Sequence, residues 1–169
     1  MEAGATAMLQ VGLRRLATGA EKIVQAEVMA IVPRWNRDST LIHTYVRLRI
    51  VDDILGPEEN DELILKQVGG SIGTLSLTVE GTATYRVGET NVLFLRIDPD
   101  NPAAWRTMGL YQGKYRVYTA SDQAVRVKQD VVEGVALYKR AHDDTAVETG
   151  NDLTLEEFKR RILAYRTSD

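Results

Sequence analysis

The sequence predicts a mainly β protein: an OB-like antiparallel β-barrel with a short N-terminal helix and a C-terminal amphipathic helix. Three observations carry this prediction. Ile42, Thr44, Val46, Leu48 and Ile50 alternate with His43, Tyr45, Arg47 and Arg49, the pattern of an antiparallel sheet with one face in water. Seven or eight short strand-like runs are separated by closely spaced glycines, a rhythm typical of barrels and sandwiches. The 169 residues are 44% hydrophobic and 27% charged, close to the globular average and enough for one core.

In chain order, Val11 to Glu21 reads as a short helix, with Leu13 and Leu16 three residues apart and Gly19 weakening its end. Lys22 to Pro33 then alternates, which predicts a strand with Val24, Ala26, Val28, Ala30 and Val32 on one face. Arg34 to Ser39 is polar and joins it to the Thr40 to Leu55 strand as a long-looped hairpin. Gly56-Pro57 breaks the chain. Further strands are expected at Glu62–Val68, Leu75–Glu80, Asn91–Ile97, Arg106–Leu110, Lys114–Thr119 and Ala124–Lys128. Val92 to Leu95 is apolar on both faces and therefore central.

Charge divides the chain. Residues 1–129, the expected barrel domain with its helix, carry fifteen charges of each sign, while residues 130–169 carry nine acidic and six basic. The second segment opens as an acidic connector and ends in a helix that packs on the barrel. There Thr154 and Glu157 have capping-box spacing, and Leu155, Phe158, Ile162 and Tyr165 form one apolar stripe.

Composition narrows the chemistry. A net charge of −3 argues against a general nucleic-acid partner. The absence of cysteine removes disulfides, thiolate metal sites and a cysteine nucleophile. No apolar run reaches the roughly 20 residues of a membrane helix, so no membrane insertion is expected. His43 and His142 have no metal-ligand spacing, and Asp98-Pro99-Asp100-Asn101 lacks the rest of a calcium loop. Neither a metal nor another cofactor is expected.

One motif matches a catalytic pattern. Gly69-Gly70-Ser71-Ile72-Gly73 satisfies G-x-S-x-G, but the segment after it is β-rich where a nucleophile elbow needs a helix. Ser71 with His142 as base is accordingly a minor alternative to a glycine-rich turn. A broader signal lies in His43, Tyr45 and Arg47 on one strand face and Tyr115, Arg116 and Tyr118 on another. Aromatic and guanidinium groups together bind sugars, bases or proteins. Trp35 and Trp105 are either interface anchors or core.

Five segments, Lys22–Trp35, Ile42–Gly56, Gln67–Gly73, Tyr85–Leu95 and Gly109–Val117, resemble poorly characterised secreted bacterial proteins, themselves distantly similar to the netrin and tissue-inhibitor-of-metalloproteinase modules. That resemblance implies an OB-type barrel and an extracytoplasmic setting. The Ala5-Thr6-Ala7 pattern fits the end of a removed leader, with a cytoplasmic protein beginning at Met1 as the other reading. It does not carry over protease inhibition, because the animal inhibitors chelate zinc through an N-terminal cysteine and this chain has none. The expected function is a non-enzymatic module that binds an unidentified protein or surface ligand through barrel loops. The alternative is self-assembly by strand addition, with Met1 to Leu9 as an exchangeable arm.

Overall fold

The computed structural model describes residues 6–57, 61–140 and 147–168. His142, Glu58 and Glu59 lie outside the described residues. The elements are β1 (Thr6–Leu9), α1 (Leu13–Gly19), β2 (Lys22–Trp35), β3 (Ile42–Leu55), β4 (Glu62–Val68), β5 (Gly70–Ile72), β6 (Leu75–Leu77), β7 (Thr90–Asp98), β8 (Asn101–Thr107), β9 (Lys114–Thr119), β10 (Val125–Gln129), β11 (Val135–Tyr138) and α2 (Leu155–Thr167). A 3-10 turn at Leu110–Gly113 joins β8 to β9. No helix among the described residues is long and apolar enough to cross a membrane.

Seven strands form one mixed sheet in the order β10-β9-β7-β2-β3-β4-β8, and β8 also pairs with β7. β7, β2, β3, β4 and β8 therefore partly close a ring. Its seam is a single parallel bridge, Leu65 to Trp105. The sheet is thus not purely antiparallel, and β1 pairs with β11 in parallel as well. β5 and β6 form a small antiparallel hairpin of their own.

Strand β7 shows why a run can be apolar on both faces. Leu93 and Leu95 join Val24, Ala26, Val28, Val46, Leu48, Leu65 and Trp105 inside the ring. Val92 and Phe94 point the other way, into a second cluster with Leu13 and Leu16 of α1 and Phe158 and Ile162 of α2. One face lines the ring; the other carries the two helices.

The β2–β3 register shifts at three points, and the last of them breaks the alternation expected of β2. Val28 pairs with Leu48 and Ala30 with Arg47, so Met29 is an extra residue on the β2 side. Such a bulge shifts side chains to the opposite face. Ile31 therefore packs against the interior cluster, and Val32, paired with Tyr45, turns outward and is 40% exposed. β3 keeps its predicted alternation from Ile42 to Leu48.

Other boundaries differ for local reasons. The strand expected at Arg106–Leu110 is instead Asn101–Thr107. Its proline and two alanines are weak strand formers, which hid it, while Gly109 and Leu110 both adopt positive φ and end it. Residues 6–9 are not a free arm: β1 is held by β11 and by Gln112. The Gln112 side chain accepts from Val11 N at 2.8 Å and donates to Leu9 O at 3.1 Å. The first helix is shorter than expected, Leu13–Gly19.

In α2, Thr154 accepts from Glu157 N at 3.2 Å, the expected cap. The Glu157 carboxylate does not return the bond; Arg160 and Arg161 engage it. The segment before this helix covers the outer edge of β10, with Val127 N bonded to Leu153 O at 3.1 Å and Asp152 N to Val127 O at 2.8 Å.

Candidate functional site

Pairing register decides which β3 side chains leave the core. Because Val46 and Leu48 fill the ring, His43, Tyr45, Arg47 and Arg49 project outward from the same strand. On β4 they are opposed by Val68, Lys66, Ile64 and Glu62, and on β2 by Arg34, Val32, Ala30 and Glu27. Arg49 is tied to Glu27, whereas no ion pair engages Arg34 or Arg47 among the described residues.

At one end of this face lies a cleft of about 250 Å³. Val68, Val79, Ala83 and Leu110 give it an apolar lining, and His43, Lys66, Asp98, Asp100 and Arg106 a polar one. Lys66 Nζ meets Asp98 Oδ1 at 3.3 Å with both side chains about nine-tenths buried. The same oxygen accepts the Asp100 amide at 3.0 Å, which fixes the β7–β8 turn. A larger recess of about 750 Å³ lies beside Val11–Arg15, Lys139, Arg140, Val147, Glu148 and Tyr165, but residues 141–146 are outside the described residues.

The electrostatics of the polar lining act on His43. Burial lowers its pKa below 6.5 first, Lys66 lowers it further, and Asp98 and Asp100 oppose both. The ring is therefore neutral at pH 7 and able to accept or donate a hydrogen bond. Because the unfolded chain takes up this proton at higher pH than the folded one, the stabilising contribution is complete above pH 6.5. It declines as pH falls through 6.5 toward the folded value. In Lys66→Gln, loss of the cation and release of the Asp98 carboxylate act in the same direction, so an NMR titration is expected to show a higher His43 pKa. An unchanged or lower value would contradict the geometry of this lining.

The remaining expected site residues separate. Trp105 is 5% exposed and belongs to the ring interior. Tyr115 is fully buried, its ring 4.6 Å from that of Phe158 and its hydroxyl donating to Thr149 O, and burial pushes its pKa upward. Both are therefore core residues, not surface contacts. Trp35 is 39% exposed, but it pairs with Ile42 and so points to the side of β3 opposite His43. Trp35→Ala is expected to cost about 1 kcal/mol, roughly 2–4 °C of melting temperature, as measured by thermal unfolding.

Ser71 lies in the three-residue strand β5, exposed, with Oγ 2.9 Å from Ser76 Oγ. β6 follows it, so no strand-to-helix elbow forms. The adjoining glycines have a different use: Gly69 and Gly70 take φ +107° and +136°, and Thr44 Oγ1 donates to Gly69 O at 2.7 Å. A Cβ on Gly70 would collide with that hydroxyl. The motif lets a hairpin lie against β3.

The sequence singles out Asp98 and Asp100 only within a turn that falls short of a calcium loop, and gives Lys66 and Arg106 no role at a site. The available signal was Lys66 among apolar neighbours in β4, directly across from Tyr45 once the β3–β4 hairpin is drawn. No family model, curated protein or solved structure matches the chain.

Proposed function

We propose that the protein is a non-enzymatic, extracytoplasmic binding module built on an OB-like barrel, with its contact surface on the outward face of β3 and β4. The ring order β2-β3-β4-β8-β7, partly open at a single parallel bridge, supports the OB-like reading. The extracytoplasmic setting rests on the resemblance to secreted bacterial proteins. The observation that carries the function is the joining of His43, Tyr45 and Arg47 to a bounded cleft through Lys66. Concave, mostly apolar sites with a few convergent polar groups are the usual form of a binding site.

Self-assembly by strand addition is the weaker reading for two reasons. The β10 edge is occupied by residues 152–153, and β1 is paired within its own chain. Affinity capture from the native secretome tests the proposal. A partner recovered by the wild type and lost with Tyr45→Ala/Arg47→Glu, at unchanged melting temperature, is the expected result. Equal recovery by both forms would overturn this face as the contact surface.

A further inference from the structure

Resting on that reading of the face, we propose that its partner is an acidic protein segment carrying one tyrosine or tryptophan that seats in the cleft. The first argument is charge. The chain is net negative, yet Arg34, Arg47 and Arg106 on this surface enter no ion pair among the described residues. Arg47 stands four residues along β3 from His43, about 14 Å, and Arg106 lies two strands away from Tyr45, about 10 Å. An extended acidic chain crossing Tyr45 would meet these guanidinium groups with little rearrangement.

The second argument is the size and lining of the cleft. Its volume of about 250 Å³ is below the range of about 300–1,000 Å³ that encloses a whole drug-sized ligand. It suits a single large side chain of a bigger partner, the form in which interface anchors bind. Val68, Val79, Ala83 and Leu110 line it, while among the described residues no side chain donates to Asp98 Oδ2 or to the Asp100 carboxylate. Tyrosine and tryptophan offer an apolar body and one donor, which matches an apolar lining beside open acceptors.

The test is an amide NMR titration of the full chain with acetyl-Glu-Asp-Tyr-Glu-Asp-amide, its Gln/Asn counterpart, its Tyr-to-Ala form and an oligo-dT of similar length. The acidic tyrosine peptide is expected to move the amides of Tyr45, Arg47, Lys66 and Asp100. Arg47→Glu/Arg106→Glu is expected to weaken it by about tenfold, and so is the alanine peptide. Equal binding of the neutral counterpart would remove the acidic partner while leaving the surface in place. Tighter binding of oligo-dT to the same amides would replace the peptide with a nucleic acid. No shift at about 1 mM peptide would overturn the inference, with the capture experiment still deciding separately whether this face binds.

Discussion

Phe158→Ala is expected to destabilise the protein by about 3–5 kcal/mol, lowering the melting temperature by roughly 10 °C. Phe158 is fully buried and, with Ile162, carries α2 into the core. Its ring lies 4.6 Å from Tyr115 and 6.1 Å from Phe94, so truncation removes apolar burial and two aromatic contacts together. Collapse around the void is limited, because Leu13, Leu16 and Val92 are already held by the sheet and α1. Urea unfolding at constant slope would measure the loss. A change below about 1 kcal/mol, the range of surface substitutions, would mean that α2 does not dock as described.

Lys114→Met is expected to cost about 3 kcal/mol, the lower end for breaking a buried ion pair. The lysine side chain is 2% exposed and its ammonium lies 2.9 Å from Glu89 and 3.0 Å from Asp130. The same ammonium donates to Thr84 O and stands 5.0 Å from the Tyr85 ring centroid. Methionine fills the space but strands Glu89, while Asp130 keeps Arg116 at 3.7 Å and, at 28% exposure, some access to water. That access places the cost at the low end. The triple variant Lys114→Met/Glu89→Gln/Asp130→Asn is expected to regain most of the stability, because the carboxylate charges go with the lysine. Equal destabilisation of both variants in urea would show that packing, and not charge, is what Lys114 supplies.

The parts of the fold legible in sequence were those that a single segment encodes. The alternation from Ile42 to Leu48 describes one strand and its two faces, and the stripe from Leu155 to Tyr165 describes one helix. The two-sided burial of Val92 to Leu95 was equally readable, although the reason for it, a ring on one face and helices on the other, was not. What escaped was set between segments. Met29 is an extra residue only relative to its β3 partner, and that single residue sends Val32 outward. In β9, Tyr115 and Val117 alternate with Arg116, so a strictly period-two reading of that strand would have separated Tyr115 from the surface group. The candidate cleft was less accessible still. Lys66 and Asp98 are 32 residues apart and meet only because β8 returns to both β4 and β7.

The sharing of one apolar cluster by α1 and α2 has a consequence for synthesis. Leu13 and Leu16 are translated early, but Phe158 and Ile162, which cover them, come roughly 150 residues later. Contacts of such long sequence separation form slowly. A nascent chain therefore exposes its first helix until the last one has cleared the ribosome. Chaperone demand should concentrate in that interval, and shortening the chain before Phe158 should prolong it indefinitely.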